Sequence, residues 1–336
     1  MKLSDIGEFG LIDRVSVDFL KNLPRGITGI GDDAAVIPWN QKRSLLVTTD
    51  MLVEGSHFIR SAISPEELGH KSLAVNLSDI AAMGGTPAFV FLSLGLTPDL
   101  TVEWVDRFFR GFRRLAEAYA VRLLGGDTTQ SKESVVINIT ALGNIQNRHI
   151  KFRSLAEPGD LVCVTGRLGD SGAGLKVLLE QKPLSPTEKR LVRRHHRPEP
   201  HVPEGRWLGR KSGVHAMMDV SDGIDSDARR LIKSSGCGID IHLDRLPLSK
   251  DLRSVCAMRK WNAYELASSG GEDYCLLFTV APKAFARLSA DFLSMFRRPL
   301  FRIGDVTGNA GVLRYFLHGE PCALENGGWD HFKKVR

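Results

Sequence analysis

The chain has 336 residues, 43% of them hydrophobic and 25% charged, with a formal net charge of +6. That length supports two domains with sizeable cores, and the composition excludes a mainly disordered chain. No apolar run is long enough for a membrane helix, Met1-Lys2-Leu3-Ser4-Asp5 lacks a secretion signal's apolar core, and the basic residues are dispersed, so neither a membrane nor a nucleic acid is an expected partner.

In chain order, residues 44–49 read as a strand. Ser64-Pro65-Glu66-Glu67 is a capping box that opens a helix running to about Met83 and stopping at Gly84-Gly85. A strand over 87–96, a helix over 102–120 and strands over 122–124 and 135–142 follow. Glu157-Pro158-Gly159-Asp160 is a turn, and a division at 150/151 gives domains 1–150 and 151–336. Beyond it lie strands over 161–165, 216–220, 239–243, 274–280 and 301–306, with helices over 228–233 and 283–296. This alternation predicts an α/β (α+β) fold. Ser185-Pro186-Thr187-Glu188 caps a helix bearing Lys189, Arg190, Arg193, Arg194, His195, His196 and Arg197, which reads as a solvated face or as a site for an anionic ligand.

Aspartates carry the chemistry. Asp50, Asp127 and Asp219 each follow a strand-like run, and Asp222 comes three residues after Asp219. One such residue suits an ordinary turn; three with the same pattern suggest a shared acidic site at the carboxyl ends of strands. Asp79 is the acid of a long apolar helical stretch, on one face with Ser72 and Asn76. It could face solvent, pair with Lys71 two turns earlier, or meet a cation. Clustered carboxylates need a positive charge between them, and oxygen donors without Cys or paired His favour Mg²⁺ or Ca²⁺. Ile30-Gly31-Asp32-Asp33 suits a metal better than a dinucleotide, because two acids would face the pyrophosphate. No Walker A motif is present. The Gly-rich segment 166–174 either cradles phosphate at a helix start or allows close packing. His57 follows Asp50 closely, and a lone His is structural by default. The five scattered cysteines, without CxxC spacing, predict a reducing, cytoplasmic setting.

The segments GIGDDAAV, TTDMLVEGSHF, KSLAVNLSDIAAMG, LLGGDTT, GDSGAGL, MDVSDGI and GGEDYCL, in this order, resemble the thiamine-monophosphate kinase family, and Gly328-Trp329-Asp330-His331-Phe332 fits as well. The resemblance implies a two-domain, aminoimidazole ribonucleotide synthetase-like fold and a homodimer joined through the amino-terminal sheet. It also implies transfer of phosphate from ATP to thiamine monophosphate with several Mg²⁺ ions, the last step of thiamine diphosphate synthesis. Asp33, Thr48, Thr49, Asp50, Asp79, Asp127, Asp219 and Asp222 match the family's magnesium positions. Turnover is expected to rest above all on Asp127, Asp219 and Asp222. Tyr119, Gly126, Asp127, Arg153 and Ser221 match its ATP contacts; His57, Glu272 and Trp329 match its thiamine-phosphate contacts. Trp329 could stack on the thiazolium or the pyrimidine, or serve as a core aromatic.

Two alternatives remain. Selenophosphate synthetase would need a reactive Cys in an early loop and the hydrogenase-maturation ATPase a carboxy-terminal Cys; here the first Cys is Cys163 and the chain ends Lys333-Lys334-Val335-Arg336. A non-catalytic nucleotide-binding regulator would need few of these acids.

Overall fold

The computed structural model describes residues 2–21 and 23–324. α1 (Leu3–Leu20) bends at Gly7, where φ is 68°. β1 (Ala35–Pro38) and β2 (Arg43–Val53) pair antiparallel. Ser64 opens α2 (Pro65–Ala82): its hydroxyl accepts from the Glu67 N–H while the Glu67 carboxylate reaches back, the expected capping box. β3 (Thr86–Leu96), α3 (Val102–Ala118), β4 (Arg122–Gln130) and β5 (Val136–Gln146) complete a five-stranded sheet of order β1-β2-β5-β3-β4.

Short 3-10 turns at Asn147–His149 and Arg153–Leu155 lead into the second half. It comprises β6 (Leu161–Val164), α4 (Asp170–Leu179), α5 (Pro186–His196), α6 (Val202–Gly209), β7 (Val214–Asp219), α7 (Ile224–Ser235) and β8 (Gly238–His242). Then come α8 (Lys250–Arg259), α9 (Ala263–Ser269), β9 (Leu276–Val280), α10 (Pro282–Phe296), β10 (Phe301–Thr307), β11 (Leu313–Leu317) and β12 (Glu320–Cys322). Seven strands form a second mixed sheet, β12-β11-β8-β10-β6-β9-β7. The result is a two-domain α/β fold with two mixed sheets. Among the described residues no helix is long and apolar enough to cross a membrane.

α2 joins the halves. It is buried nearly all round, with Lys71, Ser72, Asn76 and Ser78 enclosed among its apolar residues, and it lies between β2 and β5 on one side and β7 and α6 on the other. Glycines permit these approaches: a Cβ on Gly111 of α3 would stand 1.8 Å from the Glu66 carbonyl oxygen, and one on Gly205 of α6 2.2 Å from that of Ala81. Hence one buried cluster includes Leu77 and Ile80 of α2 together with Leu208 and Met217 from the second half.

The strand ends depart from the sequence reading. β2 runs on to Val53 and β4 to Gln130, so Asp50 and Asp127 lie inside strands; Asp219 does end one. No breaker follows Asp50, and Met51, Leu52 and Val53 continue the pairing with β5. In β4 the ladder on β3 passes from Leu123 to Gly125, and Leu124 is taken up as a bulge. β9 begins later than expected because Glu272 (φ 64°) and Tyr274 (φ 50°) are left-handed.

Candidate active site

Alternation along β2 turns Thr48, Asp50 and Leu52 toward α2 and Thr49 to the opposite face. Thr48 Oγ1 donates to Asp79 Oδ2 at 2.5 Å, and the Asp50 N–H donates to Asn76 Oδ1 at 3.2 Å. Asn76 and Asp79 share a helix face, so α2 offers both to β2. From the second sheet β7 delivers Asp219, which accepts from Ser78 Oγ at 2.5 Å. One oxygen from each of Asp33, Asp79 and Asp219 lies within 4.8 Å of the others. Of the options open for Asp79, the acidic cluster holds it, and Lys71 pairs elsewhere.

The electrostatics follow from this crowding. Burial, with Asp33 next, pushes Asp219 up to about 8. Burial, then Asp222 and Asp33, pushes Asp50 up to about 6. Asp79 is raised well above the ordinary carboxylate value by burial, then by Asp50 and Asp219. Oxygen donors that repel one another this strongly suit a hard cation. Arg153 partly offsets them: its Nη2 is 2.5 Å from Asp33 Oδ1, and its N–H donates to Asp32 Oδ1 at 2.7 Å. Asp222 pairs with Arg230 of α7, which also stands 3.4 Å from Asp227.

Asp32, Asp33, Asp50, Asp79, Asp219 and Asp222, with Arg153 and Arg230, line one hollow of about 780 Å³. Leu175, Leu178 and Leu179 of α4 and Leu266 of α9 give its wall an apolar stretch, and Ser221, His57, Glu272 and Tyr274 line it too. His57 Nδ1 accepts the Val53 N–H at 3.0 Å, so the ring proton sits on Nε2, a donor. Glu272 pairs with Lys71 at 2.9 Å and with His195 Nδ1 at 3.0 Å. Burial opposes its ionisation, but Lys71 and then His195 hold its pKa below the ordinary carboxylate range.

Other expected residues stand apart. Gly126 and Asp127 line a separate hollow of about 310 Å³ beside β4, where Asp127 Oδ1 accepts the Thr128 N–H at 2.9 Å. Thr49 borders the main hollow, but its hydroxyl accepts from Asn138 Nδ2 at 3.2 Å on the outer sheet face. Tyr119 lines neither hollow; its hydroxyl donates to the Pro200 carbonyl at 3.0 Å. Trp329 lies outside the described residues. The 166–174 segment is built for packing rather than phosphate: Asp273 takes the Gly169 and Ser171 N–H groups at 2.7 and 3.3 Å and so caps α4. In the basic segment, Arg193 and Arg194 are exposed and Arg190 pairs with Asp251, while His195 and His196 turn inward to the hollow.

Sequence reasoning missed Lys71, His195, Arg230 and Tyr274 as site neighbours. A lysine within an apolar helix and two histidines on the buried side of a basic one were the available signals.

Residues 31–145 match the family model of the AIR synthase related protein, N-terminal domain, and 157–314 that of the C-terminal domain. The chain is 39% identical over 333 residues to thiamine-monophosphate kinase of Aquifex aeolicus, covering 99% of this chain and 100% of that one. It is 38% identical over 329 residues to the enzyme of the same name from Escherichia coli K12, covering 97% and 98%. The solved structure of AaThiL complexed with AMPPCP and TMP superposes with a TM-score of 0.86 at 38% identity, covering 98% of this chain and 99% of that one. The chain belongs to the AIR synthase-related family and, within it, to the thiamine-monophosphate kinases.

Proposed function

We propose that the chain transfers the γ-phosphoryl group of ATP in line to thiamine monophosphate, giving ADP and thiamine diphosphate, the last step in making that cofactor. The observation that carries this reading is the convergence, in one hollow, of acids from both sheets with a polar and apolar wall able to take a second ligand. The likeness to a protein solved with AMPPCP and TMP supports it.

The all-oxygen cluster, with three carboxylates within 4.8 Å, fits Mg²⁺. Asp33, Thr48, Asp50, Asp79, Asp219 and Asp222, with Thr49 at the border, would hold several ions; Asp127 faces the hollow beside β4 and joins this set only by the family resemblance. Mg²⁺ held by these residues would supply charge neutralisation for the phosphates. Arg153 and Ser221 take the nucleotide; Gly126 and Asp127, in the separate hollow beside β4, are assigned to it only by the family resemblance. His57 donates from Nε2 to the acceptor phosphate, Glu272 faces the cationic thiamine portion, and Trp329 is assigned to the same ligand. The acceptor is a phosphate monoester, largely dianionic near neutral pH, so its oxygen is already a nucleophile and no general base is needed. Tyr119, held at Pro200, takes no part in this reading.

In the same reading residues 1–150 form the nucleotide and magnesium domain and 151–336 the domain that completes the site. The chain pairs with a second copy through its amino-terminal sheet. It works in the cytoplasm, which agrees with five free cysteines.

Thiamine diphosphate formation from ATP and thiamine monophosphate, with and without Mg²⁺, is the test. Turnover should need the metal, and Asp219→Asn should lower it by about 100-fold or more while the circular dichroism spectrum stays unchanged. Absence of product from the wild type, or near-normal rates in Asp219→Asn, would refute the assignment.

A further inference from the structure

Lys71 is enclosed: its side chain has 0% exposure. A buried ammonium is costly unless each of its three N–H groups finds an acceptor. Here three acceptors surround one nitrogen: the Glu272 carboxylate (2.9 Å to Oε1, 3.0 Å to Oε2), the His57 carbonyl oxygen (3.2 Å) and His195 Nε2 (3.5 Å). His195 closes the arrangement, its Nδ1 lying 3.0 Å from Glu272 Oε2 and 3.1 Å from Ser171 Oγ. Lys71 thus touches, from beneath, three residues that line the hollow: His57 from the first half of the chain, and His195 and Glu272 from the second. Glu272 needs such support: it has φ 64°, a conformation that a residue with a Cβ keeps only where its surroundings dictate it.

We propose that Lys71 is the positioning residue of the acceptor half of the site, setting the spacing between His57 and Glu272 that thiamine monophosphate requires. This rests on the assignment of those two residues to the acceptor. Lys71 itself touches neither substrate and acts only through its partners.

The surroundings give the proposal a distinctive readout. His195 is faced by Lys71 from α2, by Glu272 and the Asp273-capped start of α4, and by His196 on its own helix, beside which Glu67 stands. Burial and then the charge of Lys71 keep His195 below its ordinary pKa, whereas Glu272 works to raise it. With Lys71 gone, a proton on His195 becomes the available positive charge beside Glu272. A Lys71→Met protein should therefore regain acceptor binding as pH falls, which loss of packing would not produce.

The experiment is calorimetric binding of thiamine monophosphate and, separately, of AMPPCP to the full chain. Wild type, Lys71→Met and Lys71→Met/His195→Gln are compared at about pH 8 and about pH 5.5, each variant referenced to wild type at the same pH. At the higher pH, Lys71→Met should bind thiamine monophosphate about 10- to 100-fold more weakly, with AMPPCP binding within about twofold of wild type. The deficit should shrink several-fold at the lower pH and persist in the double variant. Wild-type acceptor affinity in Lys71→Met, equal losses for both ligands, or no recovery at low pH would overturn the proposal. If Lys71→Met does not fold, Lys71→Arg decides: its planar fork cannot serve three acceptors around one nitrogen, so the same selective loss is expected, and wild-type binding overturns the idea. Failure of the wild type itself to bind thiamine monophosphate would instead overturn the functional assignment, and this inference with it.

Discussion

With Nδ1 committed to the Val53 N–H, His57 can offer the hollow an N–H donor but no base. On the proposed assignment of His57 to the acceptor, its loss should show in acceptor binding. His57→Ala should raise the Michaelis constant for thiamine monophosphate by roughly 10- to 150-fold, the value of a charge-assisted hydrogen bond, with little change in that for ATP. His57→Gln keeps a donor and should be milder. Steady-state kinetics with each substrate varied checks this; a collapse of the maximal rate at saturating acceptor, with binding unchanged, would mean His57 removes a proton instead. At this scale the sequence exposed the acids but not their partners. Asp79 in an apolar helix correctly signalled an unusual environment. Lys71, its nearest cation along the helix, pairs instead with Glu272, 201 residues away. Pairing over that distance leaves no local trace, because it depends on how α2 is enclosed by both domains.

At the scale of elements, capping boxes and apolar periodicity located α2, α3, α5 and most strands, since those signals are local. The strand ends were less legible. Asp50 reaches the acidic cluster not because a strand stops there but because alternation puts it on the face of β2 that meets α2. Asp127 follows the same local pattern and still points elsewhere, since β4 is the outer strand of its sheet. All nine residues of β4 are exposed, with Leu124 at 56%, and Phe89 and Phe91 of the adjoining β3 are exposed as well. An open edge and apolar face of this kind invites pairing with another chain. Sedimentation should accordingly show a dimer, and Leu124→Glu, which alters no buried contact within one chain, should shift it toward a 37.1 kDa monomer. A wild type that sediments as a monomer at micromolar concentration would exclude pairing through this sheet.

For the whole molecule, the site leaves a signature in the dependence of stability on pH. Asp219, Asp50 and Asp79 have folded pKa values above the unfolded value of 3.8, with Asp219 near 8 and Asp50 near 6. Over that window the folded state binds more protons than the unfolded one, so these groups make the metal-free protein less stable as pH rises. Buried histidines act in the opposite sense. His70, His195, His196 and His201 lie below their unfolded value of 6.5, and burial takes His196 down to about 4. Here the unfolded chain binds more protons, so stability is present above about 6.5 and is lost as pH falls through the folded values. The two sets oppose each other between about pH 4 and 6.5, and above that the carboxylate slope stands alone up to about 8. Mg²⁺ held at the proposed site would select the ionised carboxylates and remove their slope while leaving that of the histidines. Excess Mg²⁺ should thus raise the melting temperature of metal-free protein only slightly at about pH 5 and by several degrees at about pH 8, where it replaces protons that are already leaving. Thermal unfolding after exhaustive chelation, with and without added Mg²⁺ at both pH values, measures the difference directly. A magnesium shift of the same size at both would show that the clustered aspartates are not where the metal binds.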